Sequence, residues 1–401
     1  MKTIPWRKAV LAFLFFPLLA GCLETEELEH MFYVHAIGID YRDGLYTVYA
    51  QILDFSTFAK QEGGGGDSET EEGAWVGKGT GDSLQDALHQ LYGTSQRRIY
   101  WGHLNSIILH ESLMKLGVKE VFDLITRFSE LRYTLWVFGT REPLQDVLLA
   151  APILESTPVF SQIGDPDDVY EQSSFVLRKR LYRIIYELNE PGRTLLVPML
   201  ALTPGHWADR QHKFDSLRVG GVAIIENEKW QGWLSRPQLL GLRWVQTETV
   251  RTPLLLGPEK QPEAVLMLER PDVQINPTVR NGKAYFTINL ELTGTISEML
   301  QKRSESELIQ QAKERIRAEI RNTYREGLKK KTDVLNLLDA LYRKNLPAWK
   351  KLTRSGEEFI LDETSLANIN VRVRIIASGR TLGPFSANHS KSRSKKTMLI
   401  E

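Results

Sequence analysis

FYVHAIGIDYRDGLYTVYAQIL, residues 32–53, reads as a β-hairpin. Phe32 to Ile39 is one strand. Tyr41-Arg42-Asp43-Gly44 is the turn, with Gly44 free to take positive φ. Leu45 to Leu53 returns, with Tyr46, Val48 and Ala50 alternating against Thr47 and Tyr49. An antiparallel pair this close to helical segments decides the class. It rules out a purely parallel, doubly wound sheet.

Beyond the hairpin, strands and helices alternate. Trp75 and Val76 read as a short strand. Gly77-Lys78-Gly79-Thr80-Gly81-Asp82-Ser83 reads as a turn leading into a helix from Leu84 to Leu91, with Ser83 as N-cap and Asp86 three residues on. Asn105 to His110 is a buried-type strand and Glu111 to Leu116 a helix stopped by Gly117. Val121, Leu124, Ile125 and Phe128 mark another helix at 3,4 spacing. A strand follows at 133–139, then a helix opened by Pro143 and running to Leu149. A longer helix is read at 169–188 and a strand at 194–202. The polar run from Thr203 to Ser216 reads as a domain boundary. Beyond it come strands at 219–225 and 230–234, a short helix near Arg236-Pro237, and two long strands (265–275 and 284–292) joined at Asn281-Gly282. A helical region spans 298–345, and a last strand 369–376. Leu308, Ala312, Ile316, Ile320, Tyr324 and Leu328 form one apolar stripe of that region. The expected fold is α+β: two to three domains, each a mixed or antiparallel sheet flanked by helices.

The N-terminus has a different character. Lys2, Arg7 and Lys8 precede an apolar run from Ala9 to Ala20, about 12 residues where a membrane-spanning helix needs about 20. The run ends in Leu19-Ala20-Gly21-Cys22, a lipobox, and Cys22 is the sole cysteine of 401 residues. The reading is a cleaved signal peptide, 1–21. Cys22 then becomes the new N-terminus, an N-palmitoyl, S-diacylglyceryl cysteine. Two or more acyl chains anchor durably where one is marginal. Residues 22–30 would be a short acidic tether, and an intramolecular disulfide is excluded.

Composition narrows the function classes. The chain carries 51 Lys+Arg against 50 Asp+Glu, and losing Lys2, Arg7 and Lys8 leaves 48 against 50, so nucleic acid is not an expected partner. The glycine run at 77–83 fits neither the dinucleotide fingerprint nor a P-loop. The histidines (30, 35, 89, 103, 110, 206, 212 and 389) give no helical metal pair, and no Gly-x-Ser-x-Gly elbow occurs. His103 and His110 read as strand-end hydrogen-bonding groups. Asp40, Glu130 and Arg132 read as salt-bridge or cap residues before acid–base catalysts. Lys329 to Lys331 read as a solvated helix end before a headgroup site. Trp101, Trp136, Trp230, Trp233 and Trp244 read as core before ligand platform. No catalytic residue, metal site or cofactor is expected beyond the lipid on Cys22.

Several pieces then come in a familiar order. They are Glu27-Leu28, Ala36-Ile37-Gly38-Ile39-Asp40, Leu84-Gln85-Asp86-Ala87-Leu88, Arg98-Ile-Tyr-Trp-Gly-His-Leu104, Ile107-Ile108-Leu109 and Arg127-Phe-Ser-Glu-Leu-Arg132. Gly220-Gly-Val-Ala-Ile-Ile225, Gly232-Trp233-Leu234 and Leu346-Pro-Ala-Trp-Lys350 follow. Together with the lipobox, the pattern resembles the C-subunit lipoproteins of spore germinant receptors, the Ger(x)C family. Leu23 stands where that family usually has tryptophan, and the Gly63–Gly66 acidic insertion is atypical.

The resemblance implies an N-terminal germination-protein domain over 31–204, within which the Gly-rich acidic composition of 60–73 reads as a flexible loop. It implies a C-terminal one over 217–385, with a possible split near 257–263 into a small middle domain and a larger helix-rich one; the Ser/Lys-rich composition of 386–401 reads as a disordered tail. It implies a lipid-anchored, non-catalytic subunit on the outer face of the cytoplasmic (spore inner) membrane, assembled with polytopic A-type and B-type receptor subunits and needed for assembly or signalling. The alternative is a lipid-anchored extracytoplasmic small-molecule-binding protein serving a transporter.

Overall fold

The computed structural model describes residues 31–53, 74–127, 131–150, 161–208, 213–258 and 260–377. Cys22 and its lipobox, the 60–73 loop and the 386–401 tail lie outside the described residues. In chain order the elements begin β1 (Met31–Arg42), β2 (Leu45–Leu53), β3 (Trp75–Gly81), α1 (Leu84–Thr94), β4 (Arg98–Tyr100), β5 (Ser106–His110), α2 (Glu111–Leu116), α3 (Val118–Arg127) and β6 (Trp136–Thr140). Then come α4 (Leu144–Leu149), α5 (Pro166–Gln172), β7 (Lys179–Arg180), α6 (Leu181–Asn189), β8 (Leu195–Ala208), β9 (Lys213–Glu226) and β10 (Lys229–Ser235). A 3-10 turn at Arg236–Leu239 leads to α7 (Leu242–Val245), β11 (Arg251–Leu256), β12 (Ala264–Arg280), β13 (Lys283–Met299), α8 (Glu305–Lys329), α9 (Leu337–Lys344), α10 (Leu346–Leu352) and β14 (Leu366–Ala377).

The hairpin that opened the reading is there, with Asp43 and Gly44 both at positive φ in its turn. Two sheets form, both mixed. The first is ordered β10-β9-β8-β6-β5-β1-β2-β3, with β4 on β1 and β7 on β6. Its centre is parallel: β1, β5, β6 and β8 run the same way. Parallel strands are covered on both faces, and β5 and β6 are buried at every residue. One face packs under α1, α2, α3 and α6, through Leu88, Leu113, Phe122 and Ile184. The other packs under α4, through Leu144, Val147 and Leu148.

The second sheet is ordered β11-β12-β13-β14, and its last strand is parallel to β13. Along β13 burial alternates strictly, so one face meets a helix and the other is half open. The covering helix is α8. A capping box closes its start, Ser304 accepting from the Glu307 N–H and Glu307 from the Ser304 N–H. Its stripe from Leu308 to Tyr324 is buried, and each such aliphatic side chain is worth about 1.5–3 kcal/mol. The same core reaches Leu196, Val222, Ile224 and Leu234 of the first sheet, so one apolar interior joins the two layers.

Four local readings change. The glycine run is strand, not turn: Gly77, Gly79 and Gly81 lie in β3, all on one face. A Cβ on Gly79 would sit 2.1 Å from the Ala87 carbonyl oxygen, and one on Gly81 2.3 Å from Asp86 Oδ2. Their bareness is what lets α1 lie against the strand. Ser83 still caps α1, its Oγ accepting from the Asp86 N–H at 3.1 Å.

The helix read at 169–188 is two helices. Ser174 interrupts it, its N–H donating to the Arg251 carbonyl and its Oγ accepting from the Val250 N–H. Lys179–Arg180 then pairs with β6. The helical region read at 298–345 begins later and breaks once. Its first residues finish β13, and Lys331 at φ 53° turns the chain out of α8. The period carries across because α8 and α9 pack into the same core.

The polar run 203–216 belongs largely to the antiparallel pair β8–β9. Strands β9 and β10 therefore extend the first sheet rather than open a new one. Residues 257–263 connect β11 to β12, and the passage between sheets falls at 236–250.

Candidate functional site

Three polar constellations stand out from this scaffold. The first sits where β1 and β5 end. Their parallel register sets Ile39 beside Leu109, which places Asp40 and His110 side by side. Asp40 accepts from the Ser112 hydroxyl, from His110 Nδ1 at 3.1 Å, from Arg42 Nε at 2.9 Å and from the Tyr41 N–H at 2.8 Å. Arg42 Nη2 lies 3.3 Å from His110 Nε2. Guanidinium has no acceptor, so the tautomer with its proton on Nδ1 satisfies both ends of the ring. Burial opposes ionisation of Asp40, but the hydrogen bonds from His110 and Ser112 and the Arg42 charge outweigh it and hold its carboxyl at about 2. Serine, histidine and aspartate meet here, yet not as a nucleophile relay. The serine hydroxyl donates to the carboxylate, and both Ser112 Oγ, at 2.7 Å, and Asp40 lie at the same ring nitrogen, Nδ1, so the imidazole does not bridge them as it does in a triad. The cluster ties a strand end to the start of α2.

The second constellation crosses from the first sheet's helices to α9. Lys179 and Glu187 are both buried and ion-paired. Glu187 also meets Arg193 at 3.3 Å and Arg183 at 3.5 Å. Arg193 continues to Asp339 at 3.1 Å, Asp339 to Arg343 at 2.9 Å, and Arg343 to Glu190 at 3.1 Å and the Tyr186 hydroxyl at 2.8 Å. Burial lowers the Lys179 pKa against the pull of Glu187. Such a chain fixes the relative placement of α6 and α9.

The third is concave. A cavity of about 270 Å³ opens at the N-terminal ends of the parallel strands, lined by Tyr33, His35, Leu53, His103, Arg132 and Thr134, among others. Its floor depends on a β-bulge. The β1–β2 register passes from Val34–Ile52 to Ala36–Gln51, leaving His35 as the extra residue. The imidazole is buried, and its Nδ1 lies 2.9 Å from Gln51 Oε1. Gln51 Nε2 donates to the Leu148 carbonyl at 2.6 Å, which fixes the amide and makes His35 Nδ1 the donor. Burial lowers the His35 pKa, so the ring stays neutral, and Nε2 presents a lone pair that no protein group meets. Tyr33, Tyr100 and His103 pack edge-on beside it, with ring centroids 5.1–5.8 Å apart.

Residues singled out from the sequence are scattered among these places. Asp40 and His110 come together, while His103 and Arg132 line the cavity. Glu130 lies outside the described residues. Lys329 pairs with Glu326 at the end of α8. Trp101, Trp136 and Trp244 are core, whereas Trp230 and Trp233 are half-buried. Among the described residues, no group of three or more His, Asp or Glu side chains is placed to hold a metal ion. His35 and Gln51 escaped the sequence reading. Alternation puts Val34 and Ala36, which flank His35, on the same face, whereas the bulge sends them into separate cores, so the strand itself carried no signal.

Two family models match the chain in succession: the spore germination protein N-terminal domain over residues 24–202, and the spore germination B3/GerAC-like C-terminal region over 220–379. The putative spore germination protein YfkR of Bacillus subtilis (strain 168) is 22% identical over 365 residues, covering 88% of this chain and 92% of that one. Spore germination protein KC of the same organism is 23% identical over 375 residues, covering 88% and 91%. The crystal structure of the GerBC protein matches with a TM-score of 0.53 at 17% identity, over 85% of this chain and 96% of that one, which shows a shared fold.

Proposed function

The chain belongs to the Ger(x)C family of spore germination proteins, and from that premise we propose that it is the lipid-anchored, non-catalytic subunit of a nutrient germinant receptor. The observation that carries the reading is the pair of family matches, which run in order along almost the whole body. A role in spore germination follows from the family. The finer role is assembly or signalling beside polytopic A-type and B-type subunits, on the outer face of the spore inner membrane.

Membrane attachment in this reading rests on Cys22. No helix among the described residues is long and apolar enough to cross a membrane. Eight residues, 23–30, separate Cys22 from β1. At the maximal extension per residue they reach roughly 30 Å, which keeps the start of β1 near the bilayer.

The test is genetic and biochemical together. Deleting the gene, or replacing Cys22 by alanine, should reduce germination in particular nutrients, and C22A should move the protein from the membrane to the soluble fraction. Unaltered germination in every nutrient, or a C22A protein still membrane-bound, would sink the reading.

A further inference from the structure

We propose that the cavity at the bulged His35 binds a small organic acid that also carries an N–H or O–H donor. The first ground is the unmade hydrogen bond. His35 Nε2 is a buried acceptor without a partner, and leaving such a group unmatched costs about 1–3 kcal/mol. Nδ1 is committed to Gln51, and Gln51 to Leu148, so the ring cannot turn to relieve it. The group that satisfies Nε2 must donate a hydrogen bond.

The second ground is how the ring came to face the cavity. A bulge gives up ladder pairing at one residue, and here the residue released is the histidine. The His35 carbonyl remains held by the Asn105 N–H at 2.8 Å, so the bulge is braced from the β5 side.

The third is a cation in the same lining. Arg132 is exposed at the cavity, and among the described residues its guanidinium has no acidic partner. Guanidinium matches a carboxylate in shape and charge. Leu53, Leu104 and Leu135 supply the apolar part of the lining. The volume of about 270 Å³ falls just below the range of drug-sized pockets, which suits a metabolite of few atoms.

The proposal concerns binding by the chain itself and does not rest on the germination reading. It is tested on the purified full chain in detergent with four probes: L-lactate, propionate, glycine and ethanolamine. Lactate and propionate differ only in the hydroxyl. Ethanolamine has donors but no acid. By calorimetry and thermal shift, lactate or glycine should bind about ten-fold tighter than propionate or ethanolamine. His35→Phe and Arg132→Gln should each remove about that factor. A wild-type readout guards against misfolded variants: the ¹⁵N resonance of His35 Nε2 should move with lactate or glycine and stay still with propionate. Equal binding of lactate and propionate, no binding of any probe, or an unmoved Nε2 resonance would each overturn the site, and in the last two cases leave Nε2 to ordered water. None of these outcomes bears on whether the spore needs the protein.

Discussion

Replacing Glu226 by glutamine should stabilise the protein above neutral pH and do almost nothing in mild acid. Glu226 ends β9, at the turn facing the link between α8 and α9. Burial, with the charge of Asp333 added, pushes its carboxyl up to about 7. Asp333 is 1% exposed. Its Oδ2 accepts from the Leu338 N–H at 2.6 Å, while Oδ1 has no partner. Burial, opposed by those backbone N–H groups and reinforced by Asp339, lifts Asp333 to about 6. Both acids sit above their unfolded values, so the folded state holds protons that the unfolded chain would release. The resulting penalty is absent below about pH 4 and fully present above about pH 7, the sense opposite to a salt-bridged carboxylate. For Glu226, a rise from 4.5 to about 7 corresponds to roughly 3 kcal/mol. The two acids share one repulsion and Glu226 is only half-buried, so the expected gain is about 1–2 kcal/mol. Urea unfolding followed by tryptophan fluorescence, repeated across the pH range, measures it. A gain of equal size in acid and base, or a loss in base, would refute the reasoning.

Three other changes read different parts of the molecule. Glu187→Ala leaves Lys179 buried and unpaired and should cost about 3–5 kcal/mol in denaturant unfolding, while Lys179→Met with Glu187→Leu should recover most of it. Gly79→Ala drives a methyl into the Ala87 carbonyl and should cost about 1–3 kcal/mol, seen as a lower melting temperature. Asp40 is held at about 2, so it contributes up to about 2 kcal/mol above pH 4, lost as pH falls through 2. Asp40→Ala should therefore destabilise strongly at neutral pH, and the difference from wild type should close in strong acid.

Period-based features were legible beforehand. The 32–53 hairpin, the buried strand at 106–110, the stripe on α8 and the Asn281-Gly282 turn all depend on local spacing, and all form. What escaped depends on partners far away in the chain. Gly-x-Gly-x-Gly looks like a turn until a helix lies on it. Ser174 looks helical until Arg251 takes its N–H. His35 looks like an ordinary strand residue, because a bulge is a mismatch between two strands and neither strand alone reveals it. The cavity combines the bulge with the end of β2 and residues from two connections, so no contiguous motif announces it. The family resemblance was carried by order and spacing along the chain, and it identified the family without locating that pocket.

The continuity of the first sheet through β8, β9 and β10 sets where this architecture can be cut or recombined. A truncation near residue 205 would strip β8 of its antiparallel neighbour and leave a long row of unmet backbone donors and acceptors, a template for aggregation. A fragment starting near 217 would inherit two strands with no sheet to join. Chimeras between relatives should therefore exchange material at the crossing between the two sheets, 236–250, where a seam severs no strand ladder. Even there it must keep both sides of a common apolar interior matched.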